Sequence, residues 1–313
     1  MKILITGAGG YVGTKLTPFL LEQGHEIIGV DTFWFGDYLG EHPKLTKITT
    51  DIREVDNIPM AGVESVIHLA NIANDPTGDL NPKLTWEVNV LASKLLVEKA
   101  ILNGVRQFVF ASSGSVYGVK DEPEVVEELD LVPISDYNKT KMISERVLLS
   151  YKDQIQLSIV RPATVCGYSK RMRLDLSVNM LTMQAIDNAL ITVFGGNQTR
   201  PNIHIGDMVR VYDHILRNPE KTQGVFNAGF ENKSILEIAE LAKKHTGARI
   251  EVSESNDPRS YRLSSKKLMA TGFQPEFGVE DAIHEVMKYY KDGTLQNKDD
   301  FYNLKVMKRL SLY

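Results

Sequence analysis

Two residues spaced one helical turn apart carry the clearest chemistry in this sequence. Tyr137 and Lys141 open a predicted helix at positions i and i+4, so their side chains share one face. An ammonium group beside a phenol favours the phenolate and lowers a pKa that starts near 10. The turn Ser112–Gly118, which contains three serines, lies shortly before this helix and follows a predicted strand. The tyrosine and the lysine therefore predict an acid–base pair.

A glycine-rich segment near the N-terminus predicts a phosphate-binding loop. Gly7, Gly10 and Gly13 follow a predicted strand and open a predicted helix, which is the context of a dinucleotide fingerprint. Glycine permits a tight turn and a close approach of the backbone to pyrophosphate, and the helix N-terminus adds amides and a partial positive charge. We assign this loop, including Tyr11 and Val12, to a dinucleotide cofactor.

An acidic residue at the end of the second predicted strand indicates which dinucleotide is bound. Asp31 lies about 20 residues after Gly10, the spacing expected of an acid on the adenosine ribose. Its carboxylate accepts hydrogen bonds from ribose hydroxyls and repels a 2′-phosphate, and the segment Thr32–Trp34 contains no arginine. The sequence therefore favours NAD over NADP. We also assign to the cofactor residues at or just after the ends of the third and fourth strands: Asp51, Ile52, Leu69 and Ala70.

Short apolar runs alternate with amphipathic stretches through the first half of the chain. Consecutive apolar residues are typical of parallel strands covered on both faces, and six strands are predicted: Lys2–Thr6, Glu26–Asp31, Lys47–Thr50, Ser65–Leu69, Gln107–Ala111 and Gln156–Arg161. Helical patterns cover Tyr11–Gln23, Pro82–Asn103, Asp136–Tyr151, Leu236–Thr246 and Val279–Lys291. The alternation predicts an α/β fold, a Rossmann doubly wound parallel sheet with a smaller C-terminal substrate-binding region.

The length of the chain, 313 residues, accommodates two domains. The regular alternation ends near residue 165, and proline, glycine and arginine punctuate the segment that follows. We expect an NAD-binding domain over residues 1–165 and a substrate-binding region over residues 166–313. Segments near residues 203–230 and 265–281 are expected to return to the first domain.

The composition excludes several classes of protein. A net charge of −4 gives no basic surface for nucleic acid or an anionic membrane. The sequence has no apolar run approaching the roughly 18 residues of a spanning helix, so we expect no membrane partner. A single cysteine, Cys166, rules out an internal disulfide and a cysteine-based zinc site. We expect a cytoplasmic protein that binds no metal.

The glycine loop, Asp31, the region of Ser113 and the Tyr137-x-x-x-Lys141 pair together resemble an extended short-chain dehydrogenase/reductase. The closer resemblance is to its NAD-dependent nucleotide-sugar epimerase/dehydratase branch, and it covers nearly the whole chain. It implies that Tyr137 is the acid/base on a sugar hydroxyl, worth about 10²–10⁴-fold in rate. It also implies that Lys141 tunes this phenol and holds the nicotinamide ribose, while Ser113 hydrogen-bonds the reacting hydroxyl.

The residues after Ser113 bear on which reaction of the branch to expect. In relatives that dehydrate the sugar, acidic residues follow this serine or threonine, whereas Gly114 and Ser115 follow it here. We therefore expect an epimerase acting at C4 through a transient 4-keto sugar. The stretch Arg161–Leu176 resembles enzymes of surface polysaccharide biosynthesis, so a net 4-oxidase/reductase is the alternative. The sequence disfavours two further alternatives, a 4,6-dehydratase and a non-catalytic NAD(H)-binding module. Such a module has no need of the Ser–Tyr–Lys set.

The same resemblance implies further binding residues and a quaternary structure. Pro162 and Val165 are expected beside the nicotinamide. The residues expected to bind a nucleotide-diphosphate sugar are Thr164, Arg173, Asn179, Arg200 and Arg259, besides Ser113. A guanidinium fork suits paired phosphate oxygens, which favours the arginines of this set as phosphate clamps. Family dimers pair the helices equivalent to Pro82–Asn103 and Asp136–Tyr151, so the resemblance implies a homodimer.

Overall fold

A computed structural model describes residues 1–254 and 260–311 of the chain. Within these residues the strands are β1 Lys2–Thr6, β2 Glu26–Asp31, β3 Leu45–Thr49, β4 Ser65–His68, β5 Gln107–Ala111, β6 Gln156–Pro162, β7 Thr164–Cys166, β8 Leu190–Phe194, β9 Thr199–His204, β10 Gly224–Ala228, β11 Glu231–Ser234 and β12 Arg249–Ser253. The helices are α1 Gly13–Glu22, α2 Asp75–Gly78, α3 Pro82–Trp86, α4 Ala92–Leu102, α5 Asp136–Leu149, α6 Ser177–Asn188, α7 Ile205–Arg217, α8 Ile235–Thr246, α9 Lys266–Ala270, α10 Val279–Lys291 and α11 Asn303–Arg309.

A seven-stranded parallel sheet forms the centre of the molecule. Its strand order is β10-β6-β5-β4-β1-β2-β3, and every neighbouring pair runs parallel. The order reverses between β1 and β4, which creates the crevice at the carboxyl ends of the strands where open α/β sheets bind ligands. The fold is therefore the Rossmann doubly wound sheet that the alternating sequence pattern predicts.

The central strand β1 shows why its sequence is apolar at every inner position. Ile3 and Ile5 pack into the core on the face covered by α1 and α7, whereas Leu4 packs into the core on the face covered by α4 and α5. All three side chains are completely buried. Each such side chain contributes about 1.5–3 kcal/mol relative to exposure, so a strand covered on both faces gains from a continuous apolar run.

The predicted helix Pro82–Asn103 is interrupted in the structure. A π-helical turn at Glu87–Leu91 separates α3 from α4 and contains the buried side chain of Asn89. Asn89 accepts a hydrogen bond from Ile72 N at 2.8 Å and donates to Thr140 Oγ1 at 3.0 Å. Hydrophobic periodicity does not reveal this turn, because its cause is a polar side chain that ties the segment after β4 to α5.

The second half of the chain forms a C-terminal lobe and returns one strand to the sheet. β10 pairs in parallel with β6 and becomes the seventh strand, although no strand was predicted there. The C-terminal lobe consists of β7–β9, β11, β12, α6, α8 and α10, and its core includes Cys166, which is fully buried. Among the described residues, the helices all lack the combined length and hydrophobicity needed to cross a bilayer.

Candidate active site

A cavity of about 850 Å³ opens at the carboxyl ends of the sheet strands, between the sheet and the C-terminal lobe. Most of the residues predicted to bind ligands contribute to its wall. Those from the cofactor set are Gly7, Gly10, Tyr11, Val12, Gly13, Asp31, Asp51, Ile52, Leu69, Ala70, Tyr137, Pro162 and Val165. Those from the substrate set are Ser113, Thr164, Arg173 and Arg200. Residues chosen from spacing and from the family resemblance are therefore brought by the fold to one cavity.

Two glycines of the N-terminal loop leave no room for a side chain. Gly7 has φ of +74°, and a Cβ there would lie 2.7 Å from the backbone nitrogen of Ala70. A Cβ on Gly13 would lie 2.2 Å from the carbonyl oxygen of Gly7. A side chain at either position would force the turn apart, so only glycine fits. The missing side chains also let the backbone approach a pyrophosphate closely. The turn thus has the shape of a dinucleotide-binding loop.

The carboxylate of Asp31 lies at the end of β2 against the glycine loop. Its Oδ2 accepts a hydrogen bond from Gly9 N at 2.9 Å, and its Oδ1 accepts one from Phe33 N at 2.8 Å. Burial raises the pKa of Asp31, while these two amides oppose that rise. A carboxylate fixed at this point of the cavity wall suits the two hydroxyls of an adenosine ribose.

The catalytic candidates meet at the other end of the cavity. Tyr137 lies in the first turn of α5, where the Ser113 hydroxyl is close enough to favour the ionised form of its phenol and so to lower its pKa. Lys141 follows one turn later and is 2% exposed. Its Nζ donates to the carbonyl oxygen of Ala111 at 2.6 Å and lies 4.8 Å from the centre of the Phe110 ring. The end of β5 therefore positions both Ser113 and the ammonium group.

The surroundings of Tyr137 oppose the lowered phenol pKa that the sequence predicts. Burial raises the pKa of Tyr137 to about 12, and the Ser113 hydroxyl only partly opposes this rise. Burial also lowers the pKa of Lys141 to about 7, although Glu145 favours its charged form. The prediction of a lowered phenol pKa is thus wrong for the protein by itself. Desolvation dominates because the cavity end is apolar and the ammonium is directed at a backbone carbonyl.

A buried ion pair stabilises the helix that carries Lys141. Arg161 donates to Glu145 through Nη2 at 2.7 Å and through Nε at 3.0 Å, and both side chains are nearly inaccessible. Ser112 Oγ donates to the same carboxylate, and Arg161 Nη1 donates to the hydroxyl of Tyr117 at 2.7 Å. This network fixes β6 against α5 and so holds the helix that carries Tyr137 and Lys141. Sequence analysis did not identify it, because its members are far apart in the chain.

Ser115 also contributes to the site, although it was not predicted as a site residue from the sequence. Its Oγ lies 2.7 Å from Ser113 Oγ and donates to Asn138 Oδ1 at 2.5 Å. Asn138 is fully buried on α5, next to Tyr137. Ser113 therefore takes its orientation from a chain of hydrogen bonds anchored on the same helix as the tyrosine. The only signal in the sequence is the repeated serine in the turn Ser112–Gly118.

The arginines predicted for the substrate differ in their surroundings. Arg173 pairs with Asp175 at 2.6 Å and is largely buried in the cavity wall. Arg200 is on β9 and contributes to the same wall. Arg259 lies outside the described residues.

Asn179 requires a correction, because the structure does not bring its side chain to the cavity. It is fully buried, accepts a hydrogen bond from Gly167 N at 3.0 Å and donates to Arg173 O at 2.9 Å. It also donates to the hydroxyl of Tyr11 at 3.1 Å. The side-chain amide makes hydrogen bonds to two backbone groups and a tyrosine hydroxyl, so its role is to hold the segment that carries Arg173.

A cluster of two histidines and a glutamate lies on the surface between α8 and α10. The donor atoms of His245, Glu280 and His284 lie within 4.8 Å of one another. His245 Nε2 lies 2.6 Å from Glu280 Oε1, and Lys244 Nζ lies 2.8 Å from the same oxygen. Because this lysine already neutralises the carboxylate, we assign no metal ion to the cluster.

The chain belongs to the NAD-dependent epimerase/dehydratase family, whose family model matches residues 3–229. Among curated relatives, the uncharacterized UDP-glucose epimerase YtcB of Bacillus subtilis is 30% identical, over 92% of this chain and 98% of its own. A putative UDP-glucose 4-epimerase of Methanocaldococcus jannaschii is 28% identical, over 93% of this chain and 99% of its own.

A solved structure with a bound nucleotide sugar shares the fold. The UDP-glucuronic acid 4-epimerase of Bacillus cereus, in complex with UDP-glucuronic acid and NAD, superposes with a TM-score of 0.79. It is 26% identical, with 93% of this chain and 99% of that chain covered. NAD is therefore the cofactor of this protein, and the glycine loop and Asp31 have the shape and the chemistry to hold it. This protein is therefore an NAD-dependent enzyme of the epimerase/dehydrogenase type.

Proposed function

We propose that this protein is a nucleotide-sugar epimerase that inverts C4 of a UDP-sugar. One observation carries the proposal: Ser113 and Tyr137 line one cavity together with the glycine loop and Asp31, and the buried Lys141 lies one helical turn after Tyr137. Such a cavity can present a sugar hydroxyl to the phenol while the dinucleotide is held behind it. The names of the curated relatives support the choice of a UDP-sugar and of C4.

In this proposal the residues of the chain move one proton and fix one sugar ring. Tyr137 takes the proton of the C4 hydroxyl, and Ser113 donates a hydrogen bond to the same oxygen. NAD, when bound, supplies the hydride acceptor and donor for the carbon. A high phenol pKa disfavours the base form, so the cationic charge of Lys141 and of the oxidised cofactor must lower it during turnover. For inversion the 4-keto sugar would have to turn within the cavity so that hydride returns to the opposite face of C4, while Tyr137 returns its proton to the C4 oxygen.

The surroundings of Gly114 support epimerisation over dehydration. A Cβ on Gly114 would lie 3.1 Å from the carbonyl oxygen of Pro162, so the position has little room for an acidic side chain. The next residue, Ser115, is a neutral hydroxyl engaged with Ser113. Neither residue can protonate a leaving hydroxyl as a carboxylic acid does. The 4-oxidase/reductase alternative uses the same Ser–Tyr–Lys set and is distinguished by its product.

We propose that a few side chains in the cavity recognise the nucleotide sugar, and that the net charge of the protein does not attract it. The protein is acidic, with a net charge of −4, whereas its substrate is an anion. We assign the diphosphate to Arg200 and Arg173 and the sugar side of the cavity to Thr164 and Ser113. Residues 166–313, apart from the segment that returns β10 to the sheet, then form the substrate-binding region.

A homodimer is part of the proposal. Leu91 and Leu95 are 56% and 42% exposed on the outer face of the α3–α4 segment, and Trp86 on the same segment is 36% exposed. A second copy of the chain would remove these large apolar side chains from water. Light scattering at micromolar concentration should give the mass of two chains. Leu91→Glu should shift this mass towards one chain, whereas Lys83→Glu, on an exposed position of α3, should not.

The substrate can be identified by incubating the purified protein with UDP-, GDP-, CDP- and dTDP-sugars. Product stereochemistry and nicotinamide absorbance are followed together. Epimerisation of a UDP-hexose gives a new sugar with no net absorbance change. Stoichiometric accumulation of NADH with a keto sugar would instead support the oxidase alternative.

A further inference from the structure

Arg171 is a buried cation for which the described residues provide no carboxylate in salt-bridge contact. Its side chain is 2% exposed, its Nη2 donates to Asn303 Oδ1, and its guanidinium lies 4.1 Å from the centre of the Phe35 ring. Its Nε has no hydrogen-bond partner among the described residues. A buried donor left without an acceptor is destabilising, and more so when it is charged. Burial lowers the pKa of Arg171 to about 9, which indicates that the surroundings supply too little negative charge.

The position of this cation within the cavity is on the cofactor side. Arg171 contributes to the cavity wall together with Asp31 and Phe35, and its charge acts on the Asp31 carboxylate. Phe35 belongs to the loop that follows β2. The cation therefore lies beside the part of the wall that fits the adenosine ribose, although Arg171 belongs to the segment that follows β7.

The neighbouring arginine in the sequence has a carboxylate of its own. Arg173 pairs with Asp175 at 2.6 Å, and its charge acts both on the phenol of Tyr137 and on Arg171. Among the described residues Arg171 has no carboxylate in salt-bridge contact, whereas Arg173 has one, so the two side chains offer a natural comparison.

The segment between β7 and α6 is fixed directly onto the cofactor loop. Tyr11 OH donates to Gly167 O at 2.6 Å, and Thr14 Oγ1 lies 2.8 Å from Ser169 Oγ. Both anchoring residues belong to the glycine loop or to the first turn of α1. These contacts give the guanidinium of Arg171 a defined position relative to the pyrophosphate-binding turn.

We propose that Arg171 is a cofactor-anchoring residue, supplied by the segment after β7 to the phosphate and ribose oxygens on the adenosine side of the dinucleotide. The dinucleotide carries the negative charge and the hydrogen-bond acceptors that the buried guanidinium lacks. The proposal rests on NAD as the cofactor and not on the C4 reaction. It gives the C-terminal half of the chain a part in retaining NAD.

Arg171→Gln and Arg173→Gln in the full-length protein test this proposal without measuring turnover. Calorimetric titrations with NAD, ADP-ribose and AMP report the cofactor end, and a titration with UDP reports the substrate end. Arg171→Gln should weaken NAD and ADP-ribose by about tenfold or more, since a hydrogen bond to a charged group is worth about 1.5–3 kcal/mol, and should leave UDP unchanged. A smaller loss for AMP would place the contact on the pyrophosphate.

Arg173→Gln should give the opposite pattern, weakening UDP and sparing NAD. If it fails to weaken UDP, the proposed substrate contact is lost but the assignment of Arg171 is not. An unchanged NAD affinity in Arg171→Gln, with only a lower melting temperature, would show that Arg171 merely packs against Asn303 and would overturn the proposal. If the glutamine variant does not fold, Arg171→Lys keeps the charge without the fork. It should weaken NAD several-fold, and unchanged affinity there has the same meaning.

Discussion

The Nζ of Lys141 lies 2.6 Å from the carbonyl oxygen of Ala111, the last residue of β5. The next residues along the chain are Ser112 and Ser113, so one strand end fixes the ammonium group and also carries the serine that lines the cavity with Tyr137. The catalytic set is therefore held by the crossover between one strand and one helix. Local changes at this junction should separate chemistry from cofactor binding.

Tyr137→Phe should retain NAD and lose turnover. The substitution removes the group that takes the sugar proton and leaves the aromatic ring in the cavity wall. We expect kcat to fall by about 10²–10⁴-fold, the range for loss of a general base. The dissociation constant of NAD should change little. Tyr151→Phe, just beyond the end of α5, is the matched control, and full activity in Tyr137→Phe would remove the basis of the assignment.

Lys141→Met should change how stability depends on pH. Lysine has a pKa near 10.4 when unfolded and about 7 in the folded protein, so the unfolded chain binds more protons between these values. The free energy of unfolding of the wild type should therefore rise with pH from 7 to 10, by at most about 1.4 kcal/mol per unit. The methionine variant lacks this rise, so its stability relative to that of the wild type should be highest near pH 6.

Urea unfolding of Lys141→Met at pH 6, 8 and 10 checks this expectation. Lys139→Met, which removes an exposed lysine from the same helix, is the matched control. A stability difference for Lys141→Met that stays constant over this range would mean that the buried lysine keeps its proton as it does in water.

Ser115→Ala should slow the reaction without affecting binding. The Ser115 hydroxyl links Ser113 to Asn138, so its loss frees Ser113 to rotate away from the reacting oxygen. A neutral hydrogen bond is worth about 0.5–1.5 kcal/mol, which corresponds to a decrease in kcat of up to about tenfold. KM should be unchanged. A rise in KM with constant kcat would indicate that Ser115 binds the sugar instead of orienting Ser113.

Gly13→Ala should abolish NAD binding and destabilise the fold. The added Cβ would lie 2.2 Å from Gly7 O, which neither backbone segment can accommodate without opening the turn. Gly40→Ala is the control, because a Cβ at that exposed position meets nothing within 4 Å. Thermal melts with and without NAD should show a lower melting temperature and no NAD-induced rise for Gly13→Ala. A normal NAD-induced rise would refute the steric reading of this loop.

The parts of the fold that depend on neighbouring residues could be predicted from the sequence. Strands β1, β2 and β5 have the predicted ends, and the glycine loop lies between β1 and α1 as expected. These features follow from apolar runs and from residue types that a turn requires. Asp31 and the Tyr137–Lys141 pair were likewise found because each is defined by spacing within one short segment.

The features that the sequence did not reveal depend on contacts across the chain. The segment near residues 203–230 was expected to return to the first domain, but the strand β10 within it was not predicted, because its own sequence carries little periodicity. Arg171 lies within a segment that was noted for its resemblance, yet nothing in that segment shows that it meets Phe35. The raised phenol pKa was missed for the same reason: burial around Tyr137 comes from elements distant in sequence.

The most direct measurement follows the hydrogen at C4 of the substrate. A UDP-hexose carrying deuterium at C4 is incubated with the enzyme in ordinary water, and the product is examined by NMR. We predict the C4 epimer, with deuterium retained at C4 and no accumulation of NADH, because hydrogen leaves and returns within one closed site. A stable 4-keto sugar formed with stoichiometric reduced cofactor, or a product in which hydrogen from water replaces deuterium at C4, would contradict C4 epimerisation.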